Sequence, residues 1–175
     1  MTVKRFAAIR AILLILAWCL LTSLVAIFIV GCSSDSDEAT AYYNLGVVCN
    51  EKGEYDQAIA HCTEAIRLKP DYAEAYVYRG AAHVANGEQD DQAIADCTEA
   101  IRLKPDYPEA HYIRGLAYGA KGNQDQAIAD FTAAIRLQPD DAKAYYMRGV
   151  TYETKGELDR AAADYAKAKE LGYDE

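Results

Sequence analysis

Small and apolar residues recur along this chain at a fixed interval. Gly46, Gly80, Gly115 and Gly149 follow one another at spacings of 34, 35 and 34 residues, each inside one helical segment. Ala58, Ala93, Ala127 and Ala161 lie at the start of the segment that follows, and Ala65, Ala100, Ala134 and Ala168 lie two helical turns further along the same face. The pattern predicts four helix pairs between about residue 39 and residue 175, with small side chains where the paired helices approach. Gly53, Gly87, Gly122 and Gly156 mark the turn inside each pair, and Asp56, Asp91, Asp125 and Asp159 behind them are expected N-caps. Pro70, Pro105 and Pro139 close the first three units. Beyond the first two of these, Asp71 with Glu74 and Asp106 with Glu109 have capping-box spacing. One extra residue in the turn from Gly87 to Asp91 accounts for the single spacing of 35, an insertion that costs little in a surface turn. A second pattern precedes all of this: an uncharged apolar run from Ala11 to Val30 behind Lys4, Arg5 and Arg10.

Around each repeated Gly the residue types are also ordered. An aromatic ring precedes it as Tyr42, Tyr76 and Tyr145, with His111 in the third unit. The place after the Gly holds Cys49, His83, Tyr118 and Tyr152, and the large residue of the second helix is Cys62, Cys97, Phe131 or Tyr165. With these residues and this period the chain resembles the tetratricopeptide repeat (TPR) family from Ala39 to the C-terminus. It departs from the family at the place just before the Gly, where Leu45 conforms but Arg79, Arg114 and Arg148 do not. The resemblance implies an all-α fold, a right-handed α-solenoid of four helix hairpins over 39–72, 73–107, 108–141 and 142–175. In the last helix Ala162 and Lys169 replace the isoleucines of Ile59, Ile94, Ile128 and of Ile66, Ile101, Ile135. That polarises its outer face and makes it an expected cap of a four-repeat array.

The apolar run ends in Ile29-Val30-Gly31-Cys32. Residues 1–31 resemble a bacterial lipoprotein signal peptide with its lipobox, which implies cleavage after Gly31 and a diacylglyceryl group on the Cys32 thiol. The competing expectation is an uncleaved signal anchor, since about twenty apolar residues suffice to span a bilayer. Either way the basic end stays in the cytoplasm and the repeats lie outside it. Residues 32–38 form a short acidic linker, and Ser33 behind the lipidated Cys points to the outer membrane in a Gram-negative cell. The first 31 residues hold three basic side chains and no acid, so 15 Lys and Arg remain against 27 Asp and Glu, a formal charge of −12. Such a surface is unsuited to nucleic acid, whose binding needs basic groups that displace counterions.

No phosphate-cradling Gly loop, His-Glu-x-x-His helix or Gly-x-Ser-x-Gly elbow occurs, so the expectation is a protein that is not an enzyme and needs no cofactor. Cys49, Cys62, His83 and Cys97 are expected to hold no metal, Cys standing as a small buried hydrophobe at an aromatic's place; zinc or Cu(I) on this set, or a Cys49–Cys62 disulfide, are the alternatives. The paired occurrence of Arg79 with Asp96, Arg114 with Asp130 and Arg148 with Asp164, against Leu45 with His61 in the first repeat, suggests an ion pair inside each hairpin or else two separately exposed charges.

By the TPR resemblance the first helices line a concave groove. That places Tyr43, Val47, Val77, Tyr78, Tyr112, Ile113, Leu116, Tyr146, Met147 and Val150 as partner-binding residues, with Ala81 among them. An apolar, Tyr-rich trough suits an extended peptide or an amphipathic helix of a cell-envelope protein. The Lys and Asn set with which some family members clamp a terminal carboxylate is missing, as Lys143 and Asn44 stand alone. The expected function is therefore a membrane-tethered binding scaffold at the outer face of a bacterial membrane. A metal- or redox-active protein and a self-associating array, a homo-oligomer through the groove, are the alternatives.

Overall fold

The computed structural model of the chain describes residues 35–87 and 90–173. The run at residues 1–34, Cys32 within it, and residues 88 and 89 of the longer turn lie outside the described residues. Ala39–Glu175 is one compact unit. It is all-helical among the described residues: α1 (35–51), α2 (Tyr55–Leu68), α3 (Ala73–Asn86), α4 (Asp90–Leu103), α5 (Pro108–Ala120), α6 (Gln124–Leu137), α7 (Ala142–Thr154) and α8 (Leu158–Glu170). From α2 onward each helix packs on the next in sequence, and α3, α5 and α7 also meet one another in order. No described helix is long and apolar enough to cross a membrane.

The repeated Gly sets how closely two helices of a hairpin approach. A methyl on Gly115 would stand 2.8 Å from the Phe131 ring, on Gly149 2.8 Å from Tyr165, on Gly80 2.9 Å from the Cys97 Sγ and on Gly46 2.6 Å from the Cys62 Sγ. One second-helix side chain thus fills the space that each Gly leaves, and Phe131, Cys62 and Cys97 are the largest fully buried side chains. Ala58, Ala93 and Ala127 are fully buried in the same layer and Ala161 nearly so. The turn glycines adopt φ near +77°, a left-handed conformation that other residues enter at a cost.

Two expectations about helix starts are corrected. Asp71 and Asp106 are not caps: the N-cap places are held by Tyr72 and Tyr107, with no side-chain cap bond. Asp56, Asp125 and Asp159 lie inside the first turn, behind Glu54, Asn123 and Glu157, and act there on the helix dipole rather than as caps. Asp141 alone among these helix starts caps with its side chain, accepting from the Lys143 and Ala144 amides at 3.0 and 3.2 Å.

The Arg and Asp residues pair as ions. Arg79 holds Asp96 by two bonds of 2.8 and 2.6 Å, Arg114 holds Asp130 by two of 2.8 Å, and Arg148 holds Asp164 by two of 2.8 Å. The three carboxylates are buried, which overturns the alternative of separately exposed charges. The fork of each guanidinium also reaches backward: its Nη1 donates to Thr63, Thr98 or Thr132 of the preceding repeat at 3.0 to 3.1 Å. One Arg therefore ties its own hairpin shut and joins it to the hairpin before.

Candidate binding cleft

First helices expose a regular succession of side chains on the side away from their hairpin partners, and between α1, α3 and α5 these enclose an open cleft of about 320 Å³. Tyr43, Val77, Tyr78, Tyr112 and Ile113 line it, five of the residues expected from the sequence, together with Ala81. Tyr107 and Glu109 complete the wall. Tyr43 meets Tyr78 edge-on at 5.4 Å and Tyr72 at 5.0 Å, so the rings brace one another. Burial first, then the neighbouring phenols, pushes the Tyr43 hydroxyl above its usual value; burial likewise raises Tyr107 and pushes Tyr112 up to about 12. The cleft is lined by phenols, each with a donor and an acceptor, and by Glu109. Lys104 lies 4.2 Å from the centre of the Tyr107 ring and 3.3 Å from Glu74, outside the lining itself.

A smaller cleft of about 150 Å³ lies further along, between α5 and α7. Leu116, Met147 and Val150 line it with Gly115, Gly119 and the edge of Phe131. Leu116 is one turn along α5 from Ile113, so the two clefts are adjacent stations on one surface. Val47 and Tyr146 enter neither. Tyr146 stacks on Tyr173 at 4.6 Å and meets Tyr165 at 5.5 Å, because the chain after α8 turns back at Gly172, φ +91°, and lays Tyr173 over that ring. Tyr107 escapes a reading of the first helices because it precedes its helix instead of lying on it. A signal existed, since Lys69-Pro70-Asp71-Tyr72 and Lys104-Pro105-Asp106-Tyr107 repeat an aromatic just before a helix.

The Cys and His cluster does not assemble. Among the described residues no group of three His, Cys, Asp or Glu side chains is placed to hold a metal ion. Cys62 faces Gly46 and Cys97 faces Gly80, each inside its own hairpin, and Cys49 packs with Ala58 and Ala82. His83 lies 3.7 Å from Asp96, the carboxylate that Arg79 also holds. The three thiols are buried and free, so the Cys49–Cys62 disulfide is not formed. Burial pushes the Cys62 thiol up to about 12 and raises Cys97 as well, which leaves both as protonated hydrophobes instead of thiolates.

Family profiles described as tetratricopeptide repeat match residues 39–72 and 112–174, and one described as TPR repeat matches residues 88–122. The chain belongs to the tetratricopeptide repeat family. Among solved structures it is similar to MamA, at 30% identity over 79% of this chain and 81% of that one, with a TM-score of 0.70. It is similar also to TTC0263, a thermophilic TPR protein of Thermus thermophilus, at 25% identity over 93% and 89% of the two chains and a TM-score of 0.70. The Arabidopsis OM64 TPR domain matches at 25% identity over 68% of this chain and 98% of the other, with a TM-score of 0.66. No curated protein sequence matches the chain. The TPR fold supports a protein-protein interaction scaffold.

Proposed function

We propose that this TPR array is a non-enzymatic scaffold that takes a peptide or amphipathic helix of a cell-envelope protein along its first helices, tethered to a bacterial membrane by the segment before it. The observation that carries the binding reading is the cleft of about 320 Å³ walled by Tyr43, Tyr78, Tyr107 and Tyr112, with Glu109 as its charged group. Rigid aromatic rings give large contact area at small entropic cost, and the phenols fix orientation by hydrogen bonds. A segment that fits combines apolar side chains with a Lys or Arg to meet Glu109, in keeping with the acidity of the whole surface. Support for the tether is the apolar run that ends in Gly31-Cys32.

Tyr78→Ala should weaken capture of such a partner by about 2 kcal/mol if the ring is a hot spot, with the helix content unchanged by circular dichroism. Tyr78 suits the test better than Tyr112, which packs on the buried Phe131 ring at 5.8 Å and so supports the fold. Melting without selective loss of binding would make the ring a packing residue; binding that persists in a stable variant would move the partner surface elsewhere.

The tether has its own test. Cys32→Ser should abolish incorporation of labelled fatty acid and leave a precursor that still carries residues 1–31, because only the thiol forms the thioether. Two or more acyl chains hold a protein stably on a bilayer where one is marginal, so the wild type should resist extraction by alkaline carbonate. A mature wild-type protein that retains residues 1–31 would instead establish the uncleaved anchor.

A further inference from the structure

The exposed large hydrophobic side chains among the described residues lie on the two end helices: Leu45, 47% exposed, and Val48, 43%, on α1, and Leu158, 64%, on α8. At the inner seams the corresponding places are covered. Ala82 packs with Ala58 of α2, Ala110 with Ala100 of α4, and Ala144 with Ile135 of α6. Helix α1 presents Ala41, Leu45 and Val48 on that same face, all exposed.

The inner seams also show what covers such a face, because their contacts repeat in register. The Arg before each repeated Gly donates to a Thr of the preceding second helix. The residue near the end of each first helix reaches an Asp thirty residues earlier: Asn86 to Asp56 at 3.4 Å, Lys121 to Asp91, and Lys155 to Asp125 at 2.6 Å. At the start of α2, Tyr55 and Ile59 pack on the cluster that contains Ala82.

Carried one repeat past α8, that register sets three pairs of exposed residues opposite each other. Lys52 falls at Asp159, an ion pair that continues the Lys and Asp series. Leu45 falls at Ala166, so the Arg and the Thr of the inner seams are both replaced, and by two apolar side chains. Val48 falls beside Leu158. Lys169, at the place of Ile135 in the seam before, falls at Ala41 and Tyr42, where its stem covers the ring while the ammonium reaches water.

We propose that copies of this chain stack head to tail, α1 of one copy on α8 of the next, in the register of the inner repeats. The contact uses different surfaces on its two sides and does not close on itself, so the assembly is open-ended. It leaves the Tyr-lined cleft free and does not depend on the binding reading above.

The test is sedimentation velocity of the full-length chain in detergent micelles over a range of concentrations. The expected result is a weight-average mass that rises with concentration through two and then more copies. Leu45→Arg and Lys52→Glu should each return it to one copy, with helix content by circular dichroism unchanged. Asp159→Lys added to Lys52→Glu should restore growth, since the pair rebuilds the ion pair between different copies. A wild type that stays at one copy throughout overturns the proposal. So does an association that survives both single substitutions, which would belong to residues 1–34 or to the groove.

Discussion

Asp130→Ala should lower the stability of the array by about 3–5 kcal/mol, because it strands the largely buried Arg114 guanidinium that two bonds of 2.8 Å now neutralise. His111 loses the same partner, which it meets at 3.2 Å through Nδ1. Urea unfolding followed by circular dichroism reads the effect directly. Arg114→Leu is the informative companion: removing the cation leaves a buried carboxylate and should also destabilise, whereas Arg114→Leu with Asp130→Ala should recover much of the loss, as paired removal of a buried ion pair often does. The pH profile follows from the same group. Burial alone would raise the Asp130 carboxyl, but the hydrogen bonds from Arg114 and His111 reverse that and hold it below the ordinary value. A carboxyl depressed in the folded state contributes fully above its unfolded pKa of about 4 and loses that contribution as pH falls through the lower folded value. Asp130→Ala should therefore flatten the acid limb of the stability curve. An acid limb identical to the wild type would show that this carboxylate is not what acid titrates.

Phe131→Ala should cost about 3–5 kcal/mol, the range for emptying a fully packed aromatic site. The ring is 1% exposed and fills the space over Gly115, where even a methyl would stand 2.8 Å from it. Cys97→Ala, at the equivalent place over Gly80, should cost clearly less because only a sulfur leaves. The difference between the two midpoints checks the assignment of one Gly and one filler per hairpin. If both variants lost the same stability, the filler would matter less than the close approach of the backbones. Gly115→Ala separates these cases, since it adds bulk on the other side of the same contact and should destabilise despite the better helix propensity of Ala.

Much of this architecture is legible in the residues because the repeat supplies internal controls. Gly46, Gly80, Gly115 and Gly149 could be matched with their fillers by spacing alone, and the first repeat, which lacks both Arg and Asp, exposed the pairing in the other three. The backward reach of each Arg to Thr63, Thr98 or Thr132 was not legible, since a Thr on an exposed helix face gives no sign of a partner sixteen residues ahead. The caps were misassigned for a related reason. Asp71 and Asp106 have the right type and spacing, but the turn of the backbone puts the cap one place later, at Tyr72 and Tyr107. The cleft was legible where a first helix alone builds its wall, as at Tyr43 or Ile113. It was not legible where the chain folds back, as at Tyr173 over Tyr146, because nothing in residue type says where a C-terminal segment will lie. The cysteines were legible as packing residues, since Cys62 and Cys97 stand at the places that Phe131 and Tyr165 hold in the later repeats and fill the space over Gly46 and Gly80.

The ladder of arginines gives the array a polarity. Repeats two to four are each bolted both inward and to the neighbour before them, while the first has Leu45 and His61 in place of the Arg and Asp, so its hairpin closes on packing around Gly46 and Cys62. In a solenoid, stability is shared between neighbours and local opening starts where the coupling is weakest. Fraying should thus begin at α1 and α2 and advance toward the C-terminus, and any contact that covers the face of α1 acts as a clamp on the loosest turn of the molecule.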